Sequence, residues 1–90
     1  MEKILCHTLT VDGTDRILTF NYYITKTIWN DYLYYGVEID NDDATACISK
    51  IFPYEHDARE FADMLYKYHV TPLSFADAVM EEITQKMVSF

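Results

Sequence analysis

At 90 residues the chain has room for one domain and one core, because a chain this short buries only about 60 to 65% of the surface its unfolded form exposes. Half of its residues are apolar and 16% are aromatic, with two Gly and two Pro, which excludes a disordered or collagen-like chain. The formal charge is −8, and residues 1–30 balance three acids against three bases, so the negative excess falls in residues 31–90; such a field repels phosphate backbones and anionic membranes and argues against direct nucleic-acid binding.

The first half of the chain reads in twos. Leu5, His7, Leu9 and Val11 alternate with Ile4, Cys6, Thr8 and Thr10, and the segment VDGTD supplies an Asp-Gly turn before Arg16, so a hairpin is expected. In the second strand Leu18, Phe20, Tyr22 and Ile24 share one face, with Thr19, Asn21, Tyr23 and Thr25 on the other, the pattern of a sheet with one side on a core and one toward water. The segment TIWND, Thr27 to Asp31, interrupts the alternation with a turn-prone Asn-Asp pair, which puts Ile28 and Trp29 in a loop. Alternation resumes in a third strand, with Leu33, Tyr35, Val37 and Ile39 opposite Tyr32, Tyr34, Gly36, Glu38 and Asp40. Gly36 marks a bulge or the close approach of another backbone. After the polar turn Asp40 to Asp43, ATACISKIF from Ala44 forms a fourth strand whose inward face the pattern leaves open, and Pro53, which has no ladder donor, ends it.

From residue 55 the period becomes helical. Ala58, Phe61, Ala62, Leu65 and Tyr68 recur on one face, Asp57 and Glu60 put negative charge near the helix start, and Lys67 and His69 suit its end. Thr71 reads as the N-cap of a second helix with Pro72 at its first position, and Ser74 with Asp77 offers a capping box three residues later. Ala76, Val79, Met80, Ile83 and Met87 mark the buried stripe of that helix. The expected fold is therefore α+β, a single domain over residues 1–90: a four-stranded antiparallel meander followed by two helices packed on one face.

The residues that carry chemistry elsewhere are sparse here. No run approaches the roughly 20 apolar residues of a membrane span, and MEKILCHTLTVDG lacks the hydrophobic region and cleavage site of a signal peptide. A cytoplasmic protein is expected, with Cys6 and Cys47 as reduced thiols, although neighbouring strands would allow one bridge. His7, His56 and His69 show no metal-ligand spacing, and Asp40, Asp42 and Asp43 lack the later glycine and glutamate of a calcium loop, since Thr45 and Ile51 stand there. No metal, cofactor or small-molecule substrate is implied. Gly13 and Gly36 cannot build a phosphate loop, and a Cys-His or Ser-His-Asp set has no support from spacing. An enzyme is not expected.

What remains is surface. With helices on one face, the other carries Tyr23, Tyr32, Tyr34, Thr19, Thr25 and Asn21, with Trp29 beside them, a composition enriched at interfaces. This points to a noncatalytic protein-interaction module, self-associating or an adaptor, that docks a protein partner or a second copy through Tyr23, Trp29, Tyr32 and Tyr34. Cross-strand aromatic pairing that merely stabilises the sheet explains the same residues. The alternative function is a small acidic inhibitor, of the kind a phage would encode, that presents Asp40, Asp42, Asp43, Glu55, Asp57, Glu60 and Asp63 as surrogate phosphates to a DNA- or RNA-binding protein. At YYGVEI (34–39) and VTPLSFADAVMEEI (70–83) the chain resembles a family of small Firmicutes proteins known only as a domain of unknown function; the likeness runs from about residue 17 to 84 and departs at Ala78, Val79 and Met80. The resemblance implies a Gram-positive bacterial or phage source and a cytosolic setting, and brings no activity or site residue with it.

Overall fold

Strand alternation builds an antiparallel meander: β1 (Glu2–Asp12), β2 (Ile17–Trp29), β3 (Tyr32–Asp40) and β4 (Thr45–Phe52) lie side by side in chain order. Helices α1 (Glu55–Lys67) and α2 (Phe75–Val88) follow and cover one face. The structure, a computed structural model, describes the backbone of residues 2–88 and the side chains of residues 2–81. Phe20, Tyr22 and Ile24 of β2, Val37 and Ile39 of β3 and Phe52 of β4 form the sheet side of the core. Ala58, Phe61, Ala62 and Leu65 of α1, with Phe75 and Val79 of α2, close it.

Tyr22 ties the sheet to the helix connection. Its ring meets Tyr66 edge-on at 5.8 Å, and its hydroxyl donates to the Val70 carbonyl at 2.8 Å. Burial raises the pKa of that hydroxyl above its ordinary value. The connection itself is set by the end of α1, where Val70 N–H bonds the Leu65 carbonyl and His69 N–H bonds the Tyr66 carbonyl. This is a Schellman motif, with His69 at φ 52 in the left-handed position usually held by glycine.

The structure corrects several details of the sequence reading. In β1 the register slips between Leu5 and His7, leaving Cys6 bulged. His7, Leu9 and Val11 still pair with Tyr22, Phe20 and Leu18 on the helix side, but Leu5 pairs with Tyr23 on the other face, and Ile4 takes its place against the core. Cys6 also packs on the core, so it shares a side with His7, whose ring stacks on Tyr66 at 4.3 Å. One extra residue shifts the phase of everything before it.

Trp29 and Ile28 belong to β2 rather than to a loop. The connection is only Asn30-Asp31, both at positive φ (51 and 66), which is what a two-residue type I′ hairpin requires and what Asn and Asp tolerate. The second helix starts at Phe75, not at Pro72: Thr71 to Ser74 is a turn closed by Ser74 N–H on the Thr71 carbonyl, and the Ser74 carbonyl accepts from Ala78 N–H. That start rotates the buried stripe to Phe75 and Val79, with Ala78 half-buried, and leaves Ala76 and Met80 exposed. The side chains of Ile83 and Met87 lie outside the described residues. Tyr68, the last residue of the expected α1 stripe, is exposed because the helix ends before it. Cys6 and Cys47 sit on the two opposite edge strands, some three strand spacings (about 14 Å) apart, which rules out a bridge between them.

The open question of β4 resolves through a kink. Val37 pairs with Ile48 and Tyr35 with Phe52, so residues 49–51 stand opposite Gly36 alone. Ala46, Ile48 and Phe52 face the core side, and Lys50 takes a left-handed φ of 58. A Cβ on Gly36 would lie 2.0 Å from the Ile48 carbonyl oxygen and 2.7 Å from Ser49 Cα. The kinked strand therefore laps over Gly36 on the side away from the helices. Thr25, beside Gly36 on that side, is only 1% exposed.

Candidate functional site

Register alone decides which side chains share the face without helices. Lys3 and Leu5 of β1, Tyr23, Thr25, Thr27 and Trp29 of β2, and Tyr32, Tyr34, Gly36, Glu38 and Asp40 of β3 point that way. All four interaction residues expected from the sequence are among them, but the structure divides them. Trp29, Tyr32 and Tyr34 cluster at one end, whereas Tyr23 lies nearer the centre, beyond the Thr25–Gly36 pair.

The end holding the cluster is a projecting ribbon. The last described pairings flanking it are Glu2 with Lys26 and Tyr35 with Phe52, so residues 27–34 extend past their neighbours among the described residues. Trp29 is 53% exposed and Tyr32 68%, and they sit opposite each other across the turn. The Trp29 ring lies 6.2 Å from that of Tyr34 at 60°, and Lys50 Nζ stands 5.4 Å over Trp29. Trp29, Tyr34 and Lys50 line a cleft of about 380 Å³. On the ribbon's other side Ile28, 76% exposed, and Leu33 line a second hollow with Glu2, Lys26 and Thr27. The ribbon thus shows apolar surface in both directions, with the larger aromatic area on the side without helices.

The centre of the same face is closed by polar side chains. Lys3 Nζ donates to Glu38 Oε2 at 2.8 Å, reaching across β2 and over the Tyr23 ring at 4.8 Å. Glu38 is only 5% exposed as a result. The hydrogen bond to Glu38, followed by its charge, holds the Lys3 ammonium above its ordinary pKa of 10.5. Burial, then the nearby Asp40 carboxylate, raises the Tyr23 hydroxyl as well. Asn21 donates to Asp40 and accepts from Thr8, both at 3.1 Å, which completes the row. This network closes the middle of the face, whereas the ribbon end and, on edge strand β1, Leu5, 53% exposed, stay open.

The expected acidic residues fall into two groups. Asp40, Asp42 and Asp43 flank the β3–β4 turn, where Asn41 Oδ1 accepts from the backbone N–H groups of Asp43 and Ala44, and Asp43 forms a close ion pair with Arg16. Glu55, Asp57, Glu60 and Asp63 lie along α1. Glu55 meets Lys26 at 3.4 Å and Arg59 at 3.6 Å, Glu60 meets His56 at 3.0 Å, and Asp63 meets His7 at 2.6 Å. Among the described residues no three His, Cys, Asp or Glu side chains come together as a metal-binding group.

Sequence reasoning missed Lys50, Asp31 and the Lys3–Glu38 pair. Glu38 was legible as a charge on the face away from the helices, but its partner depended on the Cys6 bulge, and Lys50 reached Trp29 only through the β4 kink.

The profile of a family of unknown function, DUF6514, matches residues 1–85. The chain belongs to this family. The match takes in all four strands, α1 and most of α2. No curated protein and no solved structure matches the chain. Among the described residues no helix is long and apolar enough to cross a membrane.

Proposed function

We propose that this member of the family is a noncatalytic protein-interaction module, self-associating or an adaptor, that docks through the aromatic end of the sheet face without helices. One observation carries the reading: Trp29, Tyr32 and Tyr34 gather on a ribbon that projects beyond both flanking strands, with Trp29 and Tyr32 more than half exposed. Cross-strand pairing inside a sheet does not need that projection, whereas docking does, since large rigid aromatics concentrate binding energy where water is excluded on contact. Tyr23, held under Lys3, supports the face from within. A Gram-positive bacterial or phage source and a cytosolic setting belong to the same proposal.

The acidic-inhibitor reading has less support. Asp43, Glu55, Glu60 and Asp63 already meet Arg or His side chains and Glu55 also meets Lys26, so a nucleic-acid-binding partner would have to break those contacts to use them. The test is affinity capture from nuclease-treated lysate of the source organism, alongside size measurement of the purified protein, for the wild type and for Tyr32→Ser/Tyr34→Ser. Association lost in the variant with its melting curve intact is the expected result. Association that survives the double substitution overturns the reading, and capture of a nucleic-acid-binding protein that falls steeply with salt would favour the acidic inhibitor instead.

A further inference from the structure

Beside the aromatic cluster stand an acid and a base that meet no opposite charge among the described residues. In a chain with 15 acids and seven bases, Lys3, Arg16, Lys26 and Arg59 each meet a carboxylate. Lys50 instead lies over the Trp29 ring, as Lys67 lies over that of Tyr68, and makes no ion pair among the described residues. Asp31, at the apex of the turn between Trp29 and Tyr32, makes none either. Both residues hold left-handed backbone, at φ 66 for Asp31 and 58 for Lys50, so the tight turn and the β4 kink fix the backbone from which each side chain departs. The aromatic cluster lies between them.

We infer that the occupant of the ribbon end is a second copy of this chain, docked about a two-fold axis through the Trp29–Tyr32–Tyr34 cluster so that Asp31 of each copy meets Lys50 of the other. The inference rests on the reading of this end as a docking surface and names its partner. A closed two-fold contact requires a self-complementary patch, in which each residue finds its counterpart twice. Here an apolar centre is flanked by an acid on the apex side and a base on the β4 side, and an antiparallel face-to-face arrangement superposes the two. An acidic partner would answer Lys50 and leave Asp31 unanswered; a basic one would do the reverse. The second copy answers both. The exposed Tyr32 ring then has the cleft lined by Trp29, Tyr34 and Lys50 to enter.

Net charge opposes self-association at a distance, with −8 on each copy. The acids of the β3–β4 turn, however, lie at the far end of β3 from the ribbon tip, about 30 Å away at the usual rise per residue. That is several times the Debye length of about 8 Å at physiological ionic strength. The partly exposed Trp29 and Tyr32 offer on the order of 100 Å² each, so the patch falls short of the roughly 800 Å² per partner of a standard interface. The contact is therefore a concentration-dependent equilibrium and not a permanent dimer.

Sedimentation velocity over roughly 10 μM to 1 mM of the full chain reads it out, a range suited to weak association. Asp31→Lys and Lys50→Asp should each weaken the dimer about tenfold or more, and the two together should restore it to within about threefold of wild type. Asp31→Asn, which keeps a residue suited to left-handed backbone, removes the charge without straining the turn, and melting curves confirm folding of every variant. Salt is a weaker probe, because it screens the general repulsion and the local pairs alike. A wild type that stays monomeric across the range, or a double variant no better than the singles, overturns the inference. If Trp29→Ser/Tyr32→Ser abolishes the dimer while the charge swap has no effect, only this inference falls. If a dimer forms and that aromatic variant leaves it intact, the reading of the ribbon as a docking surface falls with it.

Discussion

On the helix side of the sheet, burial arises where side chains of period two meet side chains of period 3.6: Phe20, Tyr22, Ile24, Val37 and Ile39 against Phe61, Leu65, Phe75 and Val79. On the other side nothing of that kind arrives, yet Thr25 and Glu38 are as buried as core residues. There the cover is backbone, where β4 laps over Gly36, and a long polar side chain, where Lys3 spans β2 to reach Glu38. The first face stabilises by excluded apolar area, the second by specific polar contacts that stop short of the ribbon end. A sheet can thus close the middle of its free face without a second layer, while the ribbon end stays open.

Breaking the helix-side face should cost most. Ile24→Ala or Leu65→Ala, both at fully buried positions, is expected to lower stability by about 3 kcal/mol, transfer and cavity costs together, measured by chemical denaturation. Gly36→Ala attacks the other face through its backbone lap. Its methyl group would meet the Ile48 carbonyl at 2.0 Å, so the kink must move and stability should fall by about 2 kcal/mol. Because Lys50 rides on that kink over the single Trp, the emission of Trp29 should change with it, which no helix-side substitution should cause.

The polar centre gives a pH test. The Lys3 ammonium and the Tyr22 and Tyr23 hydroxyls all titrate above their ordinary values in the fold. Each binds its proton more tightly folded than unfolded, so its contribution is intact below the ordinary value and is lost as pH rises through the raised one. Thermal stability should accordingly decline from about pH 10 upward. Glu38→Gln removes the main cause of the Lys3 shift, so the variant should be less stable at neutral pH and show a shallower alkaline decline; an identical slope would show that the pair contributes nothing. The smallest effect should be a gain: His69→Gly relieves left-handed backbone at the end of α1 and should stabilise by about 0.5 to 1 kcal/mol.

Much of the helix-side face was legible because its cause is local. Phe20, Tyr22 and Ile24 follow strict alternation, and Ala58, Phe61, Ala62 and Leu65 a clean helical repeat, so pattern and burial coincide. Gly36 signalled a close backbone approach for the same reason: only the missing side chain admits one. The remainder depends on where strands slip. The Cys6 bulge exchanges Leu5 for Ile4 and places Lys3 opposite Thr25, within reach of Glu38, and nothing in EKILCHTL announces an inserted residue. The β4 kink brings Lys50 to Trp29 across a distance in sequence that no local pattern encodes. Trp29 was misplaced because a two-residue turn lets the strands continue through what composition marks as a break. In α2, Thr71-Pro72 and Ser74 both satisfy the rules for a helix start, and the Thr71–Ser74 turn decides between them.

Trp29 is the single tryptophan of the chain and stands half-exposed at the proposed contact, so its emission measured against protein concentration tests the central claim most directly. If the ribbon end docks a second copy, the wild-type spectrum should shift to the blue as concentration rises through the association range, and the spectrum of Tyr32→Ser/Tyr34→Ser should stay where the dilute protein has it. A wild-type spectrum that remains constant over the whole range would contradict the account.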